Sequence, residues 1–215
     1  MSEGKQTLRG KLTELTGRSK LAELAIESLM VVFAVLVAFG VEEWREERQL
    51  RRFADVARAA VELELQENLG EFRDAEPALE EVTELFHRVL QAESEDDPIF
   101  ADGEVSFSVP LPEISSAAWR AAQGSQASPY FDYDWVIRVS RVHDVQALYE
   151  QARGQLLSDM SQLLAIVSSD TSPLEVKDEF RVAYGGLLLL HQVHAAVQGE
   201  LEELLGDEGS FPPQE

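Results

Sequence analysis

Four histidines and two acidic clusters are the side chains in this sequence whose types and spacing could do chemistry. His191 and His194 lie three apart, on one face of a helix, as a pair of metal ligands would. Glu84 and His87 form Glu-x-x-His, the spacing that di-iron helical bundles use. Such a centre needs two of these motifs and two more inward carboxylates. This chain has one motif, and His194 falls on an apolar heptad position. The clusters "ESEDD" at 93–97 and "ELEELLGDE" at 200–208 lack the alternating acids and central glycine of a calcium loop. These residues therefore read as seam or surface histidines and solvated acidic faces, with no cofactor and no metal expected. The rival is a metal-binding protein or tethered enzyme using Glu84, His87, His191 and His194.

Other chemistries are closed off more firmly. There are no cysteines, which excludes disulfides, thiolate zinc sites, iron–sulfur clusters and a cysteine nucleophile. No glycine-rich phosphate loop or Gly-x-Ser-x-Gly elbow is present, and no Ser/His/Asp set can be recognised by spacing. The formal net charge is -22. It is uneven: residues 1–27 sum to +1, residues 42–60 to 0 and residues 61–215 to -23. A domain this acidic lacks the clustered basic side chains that displace counterions from phosphates, so no nucleic-acid partner is expected. One further group stands out. Trp119, Tyr130, Phe131, Tyr133 and Trp135 are denser than aromatics elsewhere. They suit either the cap of a helical core or a protein-contact patch, since Trp and Tyr are favoured contact residues.

The elements that must position these residues begin with "VVFAVLVAFGVEEWREERQLRRF", Val31 to Phe53, which changes from aliphatic to charged at Glu42. The uninterrupted apolar run Leu29–Val41 has 13 residues. At ~1.5 Å per residue it reaches roughly 20 Å, short of a ~30 Å hydrocarbon core. Extended back to Leu21 it has 21 residues and reaches about 31 Å, enough to cross. Glu23 and Glu27 lie near one end, and Lys20 is close to Glu23. A transmembrane helix over 21–41 is the expectation. A buried core helix and a signal peptide cleaved after Ala38-Phe39-Gly40 are the alternatives. Trp44 falls at the expected interface, followed by Arg45, Arg48, Arg51 and Arg52, which can meet lipid phosphates. The expected membrane or partner contacts are thus Glu27, Val31, Phe33, Leu36, Phe39, Trp44, Arg45 and Arg48. Residues 1–20 form a tail or an interfacial helix, with Leu8, Leu12 and Leu15 on one face. Each flank carries five basic residues, so the positive-inside rule gives no orientation. The expected arrangement keeps the short N-terminal segment inside and the domain in the periplasm.

The chain "ELAIESLMVVFAVLVAFGVEEWREERQLRR" resembles the start of a group of uncharacterised bacterial single-pass membrane proteins. Their pattern is a Glu, an aliphatic run, then a Trp within an acid/Arg helix; Glu27, Trp44, Glu46 or Glu47, and Arg48 match it. A second similarity lies in "SSAAWRAAQGSQASPYFDYDWVIRVSRVHDVQALYEQ", at Trp119, Gly124 and Tyr149. "YFDYDW" departs from the plainer sequence expected there. The resemblance covers about two thirds of the chain and implies an inner-membrane, helical architecture, with no activity attached.

Beyond the anchor, residues 42–205 read as a helical bundle. Leu50, Phe53, Ala57, Val61, Leu65, Leu69 and Phe72 step by three and four, one face of an amphipathic helix to about residue 75. Pro77 allows a break or a new first turn, and Ala78–Leu90 continues helical. A loop near 93–112 follows, with "VSFSVP" extended or irregular. Ile114–Gln123 is a short helix ended by Gly124. From Trp135 to Val167 the apolar positions are Val142, Val145, Tyr149, Ala152, Leu156, Met160, Leu163 and Val167. In the last helix Val176, Phe180, Ala183, Leu187, Leu190, His194, Val197, Leu201 and Leu204 keep a strict heptad seam, which either closes the bundle or pairs with a second chain. Gly185-Gly186 suggests a close crossing or a local weakness. Residues 206–215 are a flexible tail. The fold class is all-α, one transmembrane helix continuing into an antiparallel bundle. The expected function is non-enzymatic: an accessory or scaffolding subunit of a bacterial membrane complex, contacting the bilayer and other subunits or forming a homo-oligomer. A membrane-tethered sensor, metal binder or enzyme is the alternative.

Overall fold

The computed structural model describes the backbone of residues 4–94, 97–100, 108–109, 111–167 and 174–206, with side chains from Ile26 onward except Phe100. Among the described residues all regular structure is helical: α1 (Gly4–Gln91), α2 (Ala117–Gln123), α3 (Tyr133–Val167) and α4 (Lys177–Gly206), with 3₁₀ turns at Pro98–Phe100 and Ser128–Tyr130. In the 93–112 loop residues 95–96, 101–107 and 110 lie outside the described residues, which leaves only Ser108 and Val109 of "VSFSVP" described; the 207–215 tail also lies outside them. The chain divides into two compact units, Met1–Phe53 and Ala54–Glu215.

In the first unit α1 is helical from Gly4, so the expected tail begins as helix. Among the described residues its apolar stretch is exposed. Ile26, Leu29, Val31, Phe33, Leu36 and Phe39 are each at least 60% exposed, and they point in all directions around the axis. Among the described residues no helix is long and apolar enough to cross a membrane, so the expected span is not reproduced there. The reason is length. Ile26–Val41 is 16 residues, about 24 Å at ~1.5 Å each, and Glu42-Glu43 end it. The first five residues of the expected span, Leu21–Ala25, have side chains outside the described residues.

The second unit is a helical bundle with a closed core. Pro77 does not break α1, which continues to Gln91 with the proline inside it. A proline removes one backbone hydrogen bond and crowds the preceding turn. Here the apolar face stays in register across it: Phe72, Ala75, Leu79, Val82, Phe86 and Val89 are all buried. Packing of that face outweighs the local defect. The stripe starts later than its periodicity implies, since Phe53 is exposed and Leu50 half-buried, and burial begins at Ala54. On α3 the apolar period holds, but Val145 is half-buried while Gln146 is buried. On α4 all nine seam residues, Val176 to Leu204, are buried, so the seam closes the bundle.

The helix ends are tied to their neighbours. Asp132 Oδ1 accepts from the Trp135 amide at 2.9 Å, capping α3. The Lys177 ammonium, at the start of α4, donates to the Ala92 carbonyl just past α1, satisfying an orphan acceptor at a helix C-terminus. The α3–α4 crossing is close at Gly186, where an added Cβ would stand 3.3 Å from Leu156 Cδ1. At Gly185 an added Cβ meets nothing within 4 Å, so only one of the two glycines serves the crossing.

Candidate functional site

The densest polar construction in the bundle is built by Glu64 and Asn68, one turn apart on α1. Both are buried. Asn68 clamps the backbone of Ser115: its Nδ2 donates to the Ser115 carbonyl at 2.8 Å and its Oδ1 accepts from the Ser115 amide at 3.0 Å. Glu64 accepts from Ser115 Oγ at 2.7 Å and from the Ala118 and Trp119 amides at 2.8 and 3.2 Å. Those amides are orphan donors in the first turn of α2. Ser116, at the α2 N-cap, makes no side-chain cap of its own. A carboxylate from another helix takes that role, favoured by the partial positive charge of the helix start. Burial pushes the Glu64 carboxyl up, but the Ser115 hydroxyl, the two amides and the His143 charge outweigh it and hold it below the usual carboxylate range.

The clamp sets Trp119 in place. Trp119 and Trp135 are buried and meet edge to face with centroids 6.0 Å apart. Phe131 leans on Trp135 at 5.3 Å, and the Arg58 guanidinium lies 5.4 Å from the Trp135 ring. His143 stacks on Trp119 at 5.5 Å with planes 7° apart. Burial lowers the His143 pKa, against the pull of Glu64. Beside this stack is a cleft of about 400 Å³ lined by Ile114, Ser116, Trp119, Arg120, His143, Gln146, Ala147 and Glu150. Tyr130 and Phe131 are half-buried, and Tyr133 is 74% exposed. Of the five aromatics expected as core cap or contact patch, two are turned fully inward and Tyr133 is the one presented to solvent.

The histidine and glutamate pairs do not converge. Glu84 is exposed. His87 pairs with Gln91 at 2.8 Å and reaches the Tyr184 hydroxyl at 3.4 Å, with the two rings 5.8 Å apart. His194 is buried between Phe72, at 4.9 Å, and Tyr149, at 6.1 Å. Burial lowers its pKa, against the pull of a hydrogen bond with the Phe72 backbone. Among the described residues the Tyr149 hydroxyl is buried without a hydrogen-bond partner, while the Gln146 side chain hydrogen-bonds with His143. Among the described residues no group of three or more His, Cys, Asp or Glu side chains is placed to hold a metal ion.

In the first unit the expected interface residues keep the order read from the sequence. Trp44 is 56% exposed, with the Arg48 guanidinium 5.0 Å from its ring. Arg51 pairs with Glu47 at 2.7 Å. Glu27, Val31, Phe33, Leu36, Phe39 and Arg45 are all exposed.

Sequence reasoning missed Glu64, Asn68 and Gln146. A signal existed for the first two: an i, i+4 polar pair bordering the stripe Val61, Leu65, Leu69, and a Ser115-Ser116 helix start without a capping box. No sequence signal marked Gln146. No family model matches the chain, and no curated protein or solved structure matches it.

Proposed function

We propose that this chain is a single-pass, membrane-anchored, non-enzymatic accessory or scaffolding subunit of a bacterial inner-membrane complex. The observation that carries this reading is the exposed apolar stretch of α1. A helix that is apolar and exposed on every side belongs in hydrocarbon, since an aqueous helix carries a polar face. Leu21–Ala25 extends the 16 described residues to 21, about 31 Å of helix, matching a ~30 Å core. Glu27 falls within that length, where a carboxylate seeks a partner from another subunit or the headgroup zone. Trp44 and the arginines that follow suit the far interface. The bundle then stands on the other side, and we assign that side to the periplasm.

Three measurements test this. Alkaline carbonate extraction of native membranes should leave the chain in the pellet; release into the supernatant sinks the anchor. The chain is cysteine-free, so Ser161→Cys, exposed on α3, reports orientation. Labelling by an impermeant maleimide in spheroplasts is expected, and labelling only after lysis places the bundle inside. Affinity purification in mild detergent should bring down a stoichiometric membrane partner; a lone protein argues against a subunit role.

The cleft beside Trp119 favours a second reading, a membrane-tethered sensor whose ligand contacts Trp119, His143 and Arg120. A ligand screen followed by tryptophan fluorescence tests it. A hit whose signal survives Trp119→Phe removes the cleft from consideration.

A further inference from the structure

The heptad seam of α4 is consumed inside the bundle, yet the opposite face of the same helix carries a second one. Val182, Gly185, Leu189, Gln192, Ala196 and Gly199 step by three, four, three, four and three, and all six are exposed. Val182 is 61% exposed and Leu189 50%. Asp178 and Glu203 occupy the next positions at either end and bound the surface. From Val182 to Gly199 there are 18 residues without one Asp, Glu, Lys or Arg, and no other stretch of that length beyond Ala54 is free of charge. A bundle helix facing only water would be charged on its outer side, as α1 is at Glu67, Glu71, Asp74 and Glu81.

We propose that this outer face of α4 is a self-association surface that pairs in parallel with the same face of a second copy of the chain. Charge selects the occupant. Two copies each at -22 repel one another, and a contact that buried carboxylates would cost more than it returned. A basic partner would be drawn to the acidic faces instead. The uncharged face of α4 is the surface on which two identical acidic bundles meet without desolvating a carboxylate. A parallel two-fold axis sets each residue against its own copy. Gly185, Ala196 and Gly199 then let the backbones approach, Val182 and Leu189 supply the apolar contact, and Gln192 meets Gln192, a polar pair of the kind that fixes register. The parallel direction rests on the membrane-anchor reading, because two copies held in one bilayer point the same way. Confinement to the membrane also raises their effective concentration, which a contact as small as one helix pair needs.

The test uses single-cysteine variants of the full chain in native membranes under mild oxidation. Leu189→Cys is expected to give a disulfide dimer, and Ser161→Cys on α3 to stay monomeric. Adding Leu189→Glu to Val182→Cys is expected to abolish the cross-link of Val182→Cys while circular dichroism stays unchanged. No cross-link at either Leu189→Cys or Val182→Cys overturns the proposal. So does the antiparallel result, in which Val182→Cys joins Gly199→Cys and Leu189→Cys alone stays silent. Carbonate extraction of the same preparations reads the anchor separately. A retained chain that does not cross-link fails the surface alone, and an extracted chain that does cross-link fails the anchor alone.

Discussion

Ile26–Val41 and Phe180–Leu204 are both helical and both rich in aliphatic residues, yet Leu36 is 64% exposed while Leu187 is fully buried. The difference is periodicity. On α4 the seam residues recur by three and four and form one stripe, which two other helices cover. In the first part of α1 the apolar residues are consecutive, so they ring the axis and a single neighbouring helix could cover only some of them. One region specifies a packed core; the other specifies a solvent. The boundary is chemical as well: the buried stripe of α4 includes a polar side chain, His194, whereas the apolar ring has no polar group between Ser28 and Glu42 except backbone.

The comparison breaks most sharply in the core. Trp135→Ala should cost about 3–5 kcal/mol of bundle stability, the range for deleting a buried tryptophan, read as a lower midpoint in urea. Membrane retention should be unaffected. Leu36→Lys should do the reverse. A lysine at the centre of a span costs about 2.5–3.5 kcal/mol of insertion, so carbonate should release part of the chain while the urea midpoint of the bundle stays put. If both variants shift both readouts, the two regions are not independent.

Smaller effects sharpen the contrast within the bundle. Glu64→Gln keeps the shape but replaces the anion at the α2 start. A loss of about 1–3 kcal/mol is expected, the usual cost of leaving a buried donor poorly satisfied. Wild type should lose the same contribution as pH falls below the ordinary carboxylate range, because a carboxyl lowered by folding stabilises above its unfolded pKa and stops doing so once protonated. The variant should not show that acid slope. His194 runs to a different pH window. Its pKa is lowered by burial, so the unfolded state binds the proton first and stability falls as pH drops below the ordinary histidine value of about 6.5. His194→Leu should flatten that slope below about pH 6.5, read from urea midpoints measured across pH.

Much of this was legible in the residues. The α4 seam was readable because strict spacing of three and four leaves one face, and every member is buried. The run of apolar residues before Glu42 was readable because consecutive aliphatics need no partner to be recognised. Whether the helix breaks at Pro77 was not legible, because local propensity allows a stop there, while continuous packing on both sides carries the helix through. Trp119 and Trp135 were visible as a cluster, but which of the aromatics face inward depends on the turn at Ser128–Tyr130 and the Asp132 cap.

The sequence by itself determined the helical class, the seam and the charge asymmetry, because each is a property of residues close along the chain. Only the tertiary structure decided that Glu64 would cap a helix beginning 53 residues later, at Ala117. It alone placed His143 flat on Trp119 and left the outer face of α4 open. Those outcomes depend on which helices meet and at what rotation. Local pattern does not encode that rotation; it follows from fitting all the apolar faces into one core at once.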